Sequence, residues 1–301
     1  MLKAFPISNG MKVFDVGIGW ANPVDRVFIE TLKLFLKKEK LSFHEITFVN
    51  LTRAYEEIRN GKIHYKTFID RASEDHPAYL LIAEKLKERG TCVINDPHHV
   101  IRFASKSFLH RLFEAERLPV PRTFVISPTA SKKLSKSVAK TLGIPFVLKP
   151  SYSGLQDVTL TARTAGDIMN FLKENLTDEC LAQEYVAPSL INGRTAWFRP
   201  IFVCGRTIVH WWDPKNQFYH SFGRSREEQK IGRVLDNFMQ KIFQITGFKL
   251  FSSEVAMDKK GKFLIIDYAN HPIDLNSQEI TPDGLPLETI RMIASSIVKS
   301  I

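Results

Sequence analysis

The chain has three cysteines in 301 residues, Cys92, Cys180 and Cys204. They are far apart and odd in number, with no Cys-x-x-Cys pair and no Cys/His ligand spacing. Neither a disulfide framework nor a structural zinc site is therefore expected. Each sits in or beside an apolar run, where a small buried hydrophobe belongs. No apolar run approaches the roughly 20 residues that a membrane span needs. The opening residues MLKAFPISNGMKVFDVG hold no apolar core of signal-peptide length, so a cytoplasmic protein without membrane contact is expected. Internal repeats and low-complexity tracts are lacking too. Gly17-Ile18-Gly19 lacks the third glycine of a dinucleotide fingerprint, since Asn22 stands in its place, and reads as a tight strand-to-helix turn.

What is present is ordinary for a folded protein: 44% hydrophobic and 25% charged residues, enough chain for two domains. The net charge of +10, from 42 basic and 32 acidic residues, favours an anionic ligand. The basic residues are scattered and form no arm with interleaved aromatics, so nucleic acid is not expected. Along the chain, Met11 to Gly19, Phe43 to Asn50, Tyr65 to Asp70 and Cys92 to Asn95 read as strands, with helices over Pro23 to Glu39 and Pro77 to Arg89. That alternation implies a parallel sheet with crossover helices. Further on, helices are expected at Lys106 to Glu116, Ser131 to Thr141 and Asp167 to Glu174. Strands are expected at Thr123 to Ile126, Gly143 to Lys149, Val158 to Thr161 and Leu181 to Val186.

The organising stretch is Glu254 to Pro272, two apolar runs joined by Asp258-Lys259-Lys260-Gly261-Lys262. A hairpin of this length can fold Glu254 back beside Asp267, thirteen positions later (267 − 254), with Asn270 three residues beyond. Two acids and an amide oxygen form a hard-oxygen set, suited to magnesium shared with nucleotide phosphates.

In order and spacing, these features resemble the ATP-grasp superfamily, in particular carboxylate–amine ligases of the ribosomal-protein glutamate ligase and glutathione synthetase kind. The matching pieces are INDP at 94–97, Lys106 opening a helix, LPVPRT at 118–123, GIPFVLKP at 143–150, AQEYV at 182–186, FRPIFVCGRTI at 198–208, and the Glu254–Asp267–Asn270 stretch. The resemblance implies an α/β protein. An open N-terminal domain at 1–105 would precede two α+β lobes, 106–186 and 187–301, that clasp ATP between them. It implies that Lys106 and Lys149 meet the phosphates, that Ser153 and Gly154 belong to the small-residue loop over them, and that Gln183, Glu184, Tyr185 and Val186 meet the adenine. Arg199 matches an arginine facing the transferred phosphoryl group, and Glu254, Asp267 and Asn270 match the magnesium ligands. Two departures stand out. Glu254 replaces an aspartate, and the usual acid-x-Asn triplet is one residue longer here, so a bulge is needed to bring Asn270 to the metal.

The reaction implied is ATP-dependent activation of a carboxylate as an acyl phosphate, then attack by an amine. Two alternatives remain: a small-molecule kinase of the inositol polyphosphate kinase type, and a nucleotide-binding module without catalysis. The stretch Trp211 to Arg226, with Lys215, His220 and Arg224, reads as a cationic loop for an acidic small-molecule or peptide substrate. The oligomeric state stays open, a homodimer included.

Overall fold

The computed structural model describes residues 10–152, 159–174 and 179–301. The chain forms two compact units, both discontinuous in sequence. The first takes the described residues of Met1–Val100 with Arg199–Ser252 and Ala269–Ile301; the second takes those of Ile101–Phe198 with Ser253–Tyr268. Among the described residues no helix is long and apolar enough to cross a membrane.

The first unit begins with β1 (Lys12–Trp20), α1 (Arg26–Lys38), β2 (Phe43–Ile46), α2 (Leu51–Arg59), β3 (Ile63–Arg71), α3 (Pro77–Glu88) and β4 (Cys92–Ile94). The strands form a parallel sheet in the order β2-β1-β3-β4. Residues 16–18 of β1 bury Val16 and Ile18 completely, as a central parallel strand requires. Gly17 and Gly19 serve packing: an added Cβ would lie 2.7 Å from the Tyr65 ring at Gly17 and 2.7 Å from Phe68 at Gly19. Strand β2 ends at Ile46, short of the expected Asn50. The Asn50 side chain accepts from Thr47 N at 2.8 Å and donates to Glu45 O at 2.8 Å, folding these residues into a turn.

The second unit follows α4 (Pro97–Arg102) with α5 (Lys106–Ala115), β5 (Thr123–Ile126), α6 (Lys132–Leu142), β6 (Phe146–Pro150), β7 (Leu160–Ala162), α7 (Ala165–Glu174) and β8 (Cys180–Glu184). Its sheet runs β5-β8-β6-β7, and its pairs are antiparallel. Helices α6 and α7 bury Val138, Ile168, Phe171 and Leu172 against Phe146, Leu148 and Ala182 of this sheet. Short strands β9 (Leu190–Ile191), β10 (Arg194–Thr195) and β11 (Trp197–Phe198) complete this passage.

The chain then adds β12 (Ile201–Val203), β13 (Arg206–Ile208), β14 (His210–Asp213), β15 (Phe218–Ser221) and α8 (Arg226–Thr246) to the first unit. Strand β16 (Leu250–Met257) starts in the first unit and ends in the second; β17 (Phe263–Asn270) runs the other way, and α9 (Leu287–Lys299) closes the chain against α1.

The stretch 211–226 is therefore not the loop expected from sequence. It is an antiparallel hairpin, with Trp211 opposite His220 and Asp213 opposite Phe218, followed by the first residue of a long helix. The reversal is built by Asp213, which accepts from Lys215 N, Asn216 N and Asn216 Nδ2. Ser225 caps α8 in a reciprocal box with Glu228, which also accepts from Gly223 N and Trp211 Nε1. Burial alone would raise the Glu228 carboxyl, but these donors outweigh it and hold it at about 2. Its folded pKa lies below the ordinary 4.5, so its stabilisation is complete above pH 4.5 and is lost as pH falls toward 2. Ser225→Ala is expected to cost about 1 kcal/mol in urea unfolding at pH 7; an unchanged midpoint would show that the box does not hold the helix.

Candidate active site

Helix α5 begins at Lys106 because Ser105 caps it, its Oγ accepting from Phe108 N at 3.2 Å. The buried hydroxyls of Ser105, Ser107 and Ser151 lie 2.8–3.0 Å from one another, and Lys106 N donates to Ser151 O at 2.6 Å. This cluster fastens the start of α5 to the end of β6, so two lysines distant in sequence emerge together. Both are buried, Lys106 at 8% exposure and Lys149 at 6%. Both reach consecutive residues of β17. Lys149 Nζ donates to Ile266 O at 2.7 Å, and Lys106 Nζ lies 3.6 Å from Asp267 Oδ1. Burying ammonium groups costs free energy, and anionic partners offset that cost.

Strand β17 is positioned by the residue beyond Asp267. Tyr268 is 1% exposed, and its hydroxyl meets His110 Nδ1 at 2.8 Å and Gln183 Nε2 at 3.3 Å. Its ring stands edge-on to Phe113. Burial raises the Tyr268 hydroxyl and lowers His110, so both stay neutral at pH 7. Neighbouring side chains alternate along a strand, so fixing Tyr268 inward turns Asp267 the other way. Tyr268→Phe is expected to leave buried polar partners unmatched and cost about 1–3 kcal/mol in chemical unfolding.

Glu254 and Asp267 lie on the neighbouring strands β16 and β17, tied by Ser253 Oγ donating to Asp267 O at 2.6 Å. Glu254 accepts from Trp197 Nε1 at 3.2 Å, which orients its carboxylate. Among the described residues no group of three or more His, Cys, Asp or Glu side chains could hold a metal. Two hard carboxylates suit magnesium when other oxygens, such as phosphates, complete the shell. Asn270 is the last residue of β17 and belongs to the first unit.

The remaining expected residues are distributed as follows. Gln183 lies in β8, with Thr123 opposite on one side and Val147 on the other, and its side chain is in the core, 3.2 Å from Thr123 Oγ1. Glu184 ends the strand and accepts from Arg122 N at 3.0 Å; Tyr185 is exposed and Val186 packs against Ala256, Leu264 and Ile266. Ser153 and Gly154 lie outside the described residues. In the first unit, Arg199 is clamped over the rings of Trp212 and Tyr219, at 4.4 and 5.5 Å. Lys215 lies on the hairpin turn and His220 beside Phe218, while Arg224 lines a cavity of about 540 Å³ with His210, Ser221 and Arg233.

Sequence reasoning missed His110, Tyr268 and the α8 capping box. The Ser-x-x-Glu spacing at 225–228 was there to find, whereas nothing local marks His110 as the partner of a residue 158 positions away.

No protein-family model matches the sequence, and no curated protein does. Solved structures do match. The RimK domain ATP-grasp protein from Sphaerobacter thermophilus is 15% identical, with a TM-score of 0.63 over 95% of this chain and 98% of that one. The ATP-grasp ligase PsnB, complexed with a minimal precursor, Mg and ADP, is 13% identical at a TM-score of 0.66, covering 95% and 98% of the two chains. The macrocyclase MdnC from Microcystis aeruginosa, bound to its precursor peptide MdnA, is 11% identical at 0.66, covering 96% and 100%. The chain has the ATP-grasp fold.

Proposed function

We propose that this chain is an ATP- and magnesium-dependent carboxylate–amine ligase that works in the cytoplasm through an acyl-phosphate intermediate. The observation that carries the reading is the arrival of Lys106 and Lys149 on Asp267 and Ile266 of one strand. Two ammonium groups held there suit the phosphates of a nucleotide, where compact charges follow mobile oxygens. In this reading 1–105 forms the leading domain and 106–186 and 187–301 the two lobes. The segment Gln183–Val186 receives the adenine, Ser153 and Gly154 cover the phosphates, and Arg199 stabilises charge on the transferred group. Asp267 and Glu254, with Asn270, would hold magnesium, which supplies neutralisation of phosphate charge when bound.

Lys215 and Arg224 give the acceptor region its positive charge, His220 adds a hydrogen-bonding imidazole, and an acidic substrate follows from that chemistry. PsnB and MdnC were both solved with precursor peptides, which supports a peptide acid among the candidates. The amine completes the reaction by attacking the acyl phosphate.

The test is product chemistry. ATP consumption is expected to need both an acid and an amine for full rate, to release phosphate, and to give a hydroxamate when hydroxylamine replaces the amine. Transfer of the γ-phosphate to a stable phosphoester would overturn the ligase assignment in favour of a kinase.

A further inference from the structure

Cys92 opens β4, and Lys249 immediately precedes β16, 157 residues later in the same unit. Their side chains meet: Lys249 Nζ lies 2.7 Å from Cys92 Sγ. Hydrogen bonds between N–H and oxygen centre at about 2.9–3.0 Å, and sulfur is larger than oxygen. The pair is thus closer than an ordinary hydrogen bond to sulfur, at a separation that one bridging atom can span. The backbones on both sides are held independently of this contact. Asn95 Oδ1 accepts from Lys249 N at 2.6 Å and from Leu250 N at 3.0 Å, and its Nδ2 donates to Leu250 O at 2.6 Å. Both side chains are half-buried, within reach of a small oxidant. A second thiol is close by. Cys204 N donates to Lys249 O at 2.7 Å, and burial raises the Cys204 thiol, leaving it the less reactive of the two.

We propose that Cys92 and Lys249 form an oxidative crosslink, with one oxygen atom joining Nζ to Sγ. Dioxygen is the oxidant. The lysine first gives up its ammonium proton to solvent. One N–H and the S–H bond then break together with the O–O bond, and N–O and O–S bonds form. The second oxygen leaves as water with the two released hydrogens. Nitrogen and sulfur lose four electrons between them, which dioxygen accepts. Two equivalents of a dithiol reverse the change, regenerating amine, thiol and a further water. The bridge joins β4 to the start of β16 and records oxidation as a covalent tie within the first unit. Lysine is essential, because only a primary amine on a flexible stem offers this nucleophile.

The experiment compares the full chain in aerated buffer with the same chain kept in dithiothreitol. Intact mass spectrometry is expected to show a gain of one oxygen and a loss of two hydrogens in the aerated sample, reversed by dithiothreitol. Tandem spectra are expected to join the peptides holding Cys92 and Lys249, and the oxidised form is expected to melt higher, because a link between distant residues restricts the unfolded chain. C92S and K249R are each expected to abolish the mass change, and C204S to retain it. Loss of two hydrogens alone, a Cys92–Cys204 disulfide, would overturn the proposal. So would further oxidised Cys92 without a linkage, an unchanged mass, or the linkage persisting in K249R. If C92S does not fold, K249R with the parent's melting temperature carries the same test, since it keeps the charge and removes the amine.

Discussion

Asp267→Asn is expected to lower ATP-dependent turnover by about two orders of magnitude or more, the scale of losing one group that acts on developing charge. The substitution keeps volume and removes one negative charge. It also changes the partner of Lys106, whose ammonium lies 3.6 Å from Oδ1 and is largely buried. That contact is longer than a charge-assisted hydrogen bond, and an asparagine oxygen can still accept from it, so the cost in stability is expected to stay near 1 kcal/mol. Two measurements separate the roles. ATP with magnesium is expected to raise the melting temperature of the parent and to do so far less in the variant, whereas the unliganded proteins are expected to melt within a few degrees of each other. If the unliganded variant unfolds much earlier while the magnesium-dependent shift survives, Asp267 is a structural residue and the metal assignment fails.

The second large effect belongs to His210. Its ring is 4% exposed, meets Thr289 Oγ1 at 2.8 Å and stands edge-on to Tyr219, with Arg199 alongside. Burial, opposed by a hydrogen bond to the backbone of Arg199 and reinforced by the guanidinium charge, pushes the imidazole down to about 4. The folded pKa lies below the unfolded 6.5, so between those values the unfolded chain binds the proton more readily. Stability from this residue is complete above pH 6.5 and falls as the pH drops toward 4. Over that interval the loss is roughly 3 kcal/mol at most. His271 is also held at about 4 by burial and contributes in the same direction. The clean comparison is H210Q, which leaves every other titrating group in place. Urea unfolding at pH 7 and pH 4 is expected to show a larger acid loss in the parent than in the variant. Equal losses in the two would show that His210 does not titrate between the folded and unfolded states.

Strand identity followed from local pattern wherever burial on both faces made apolar runs continuous. Thr123–Ile126 begins and ends where its β-branched and aromatic residues do, and Pro77 and Lys106 open helices as their caps require. The pattern was misleading at Phe43 to Asn50. Its apolar residues continue past Ile46, but an asparagine side chain can satisfy backbone groups that a ladder would otherwise take. It failed again at Trp211 to Arg226, where charge and aromatics read as a loop although Trp212 and Tyr219, both buried, face each other across a hairpin.

For the site, the chemical types were legible and the partnerships were not. Two lysines at strand and helix ends, two acids on a hairpin and an arginine before a strand are properties of the sequence, because charge and hydrogen-bonding capacity belong to the residue. That Lys106 and Lys149 reach consecutive positions of one strand depends on a serine cluster joining α5 to β6. That Asp267 turns away from the core depends on Tyr268 turning into it, against a histidine 158 residues earlier. Contacts of this separation have no local signature: many pairings of polar residues satisfy the same sequence pattern, and only the packed chain selects one of them by burying it.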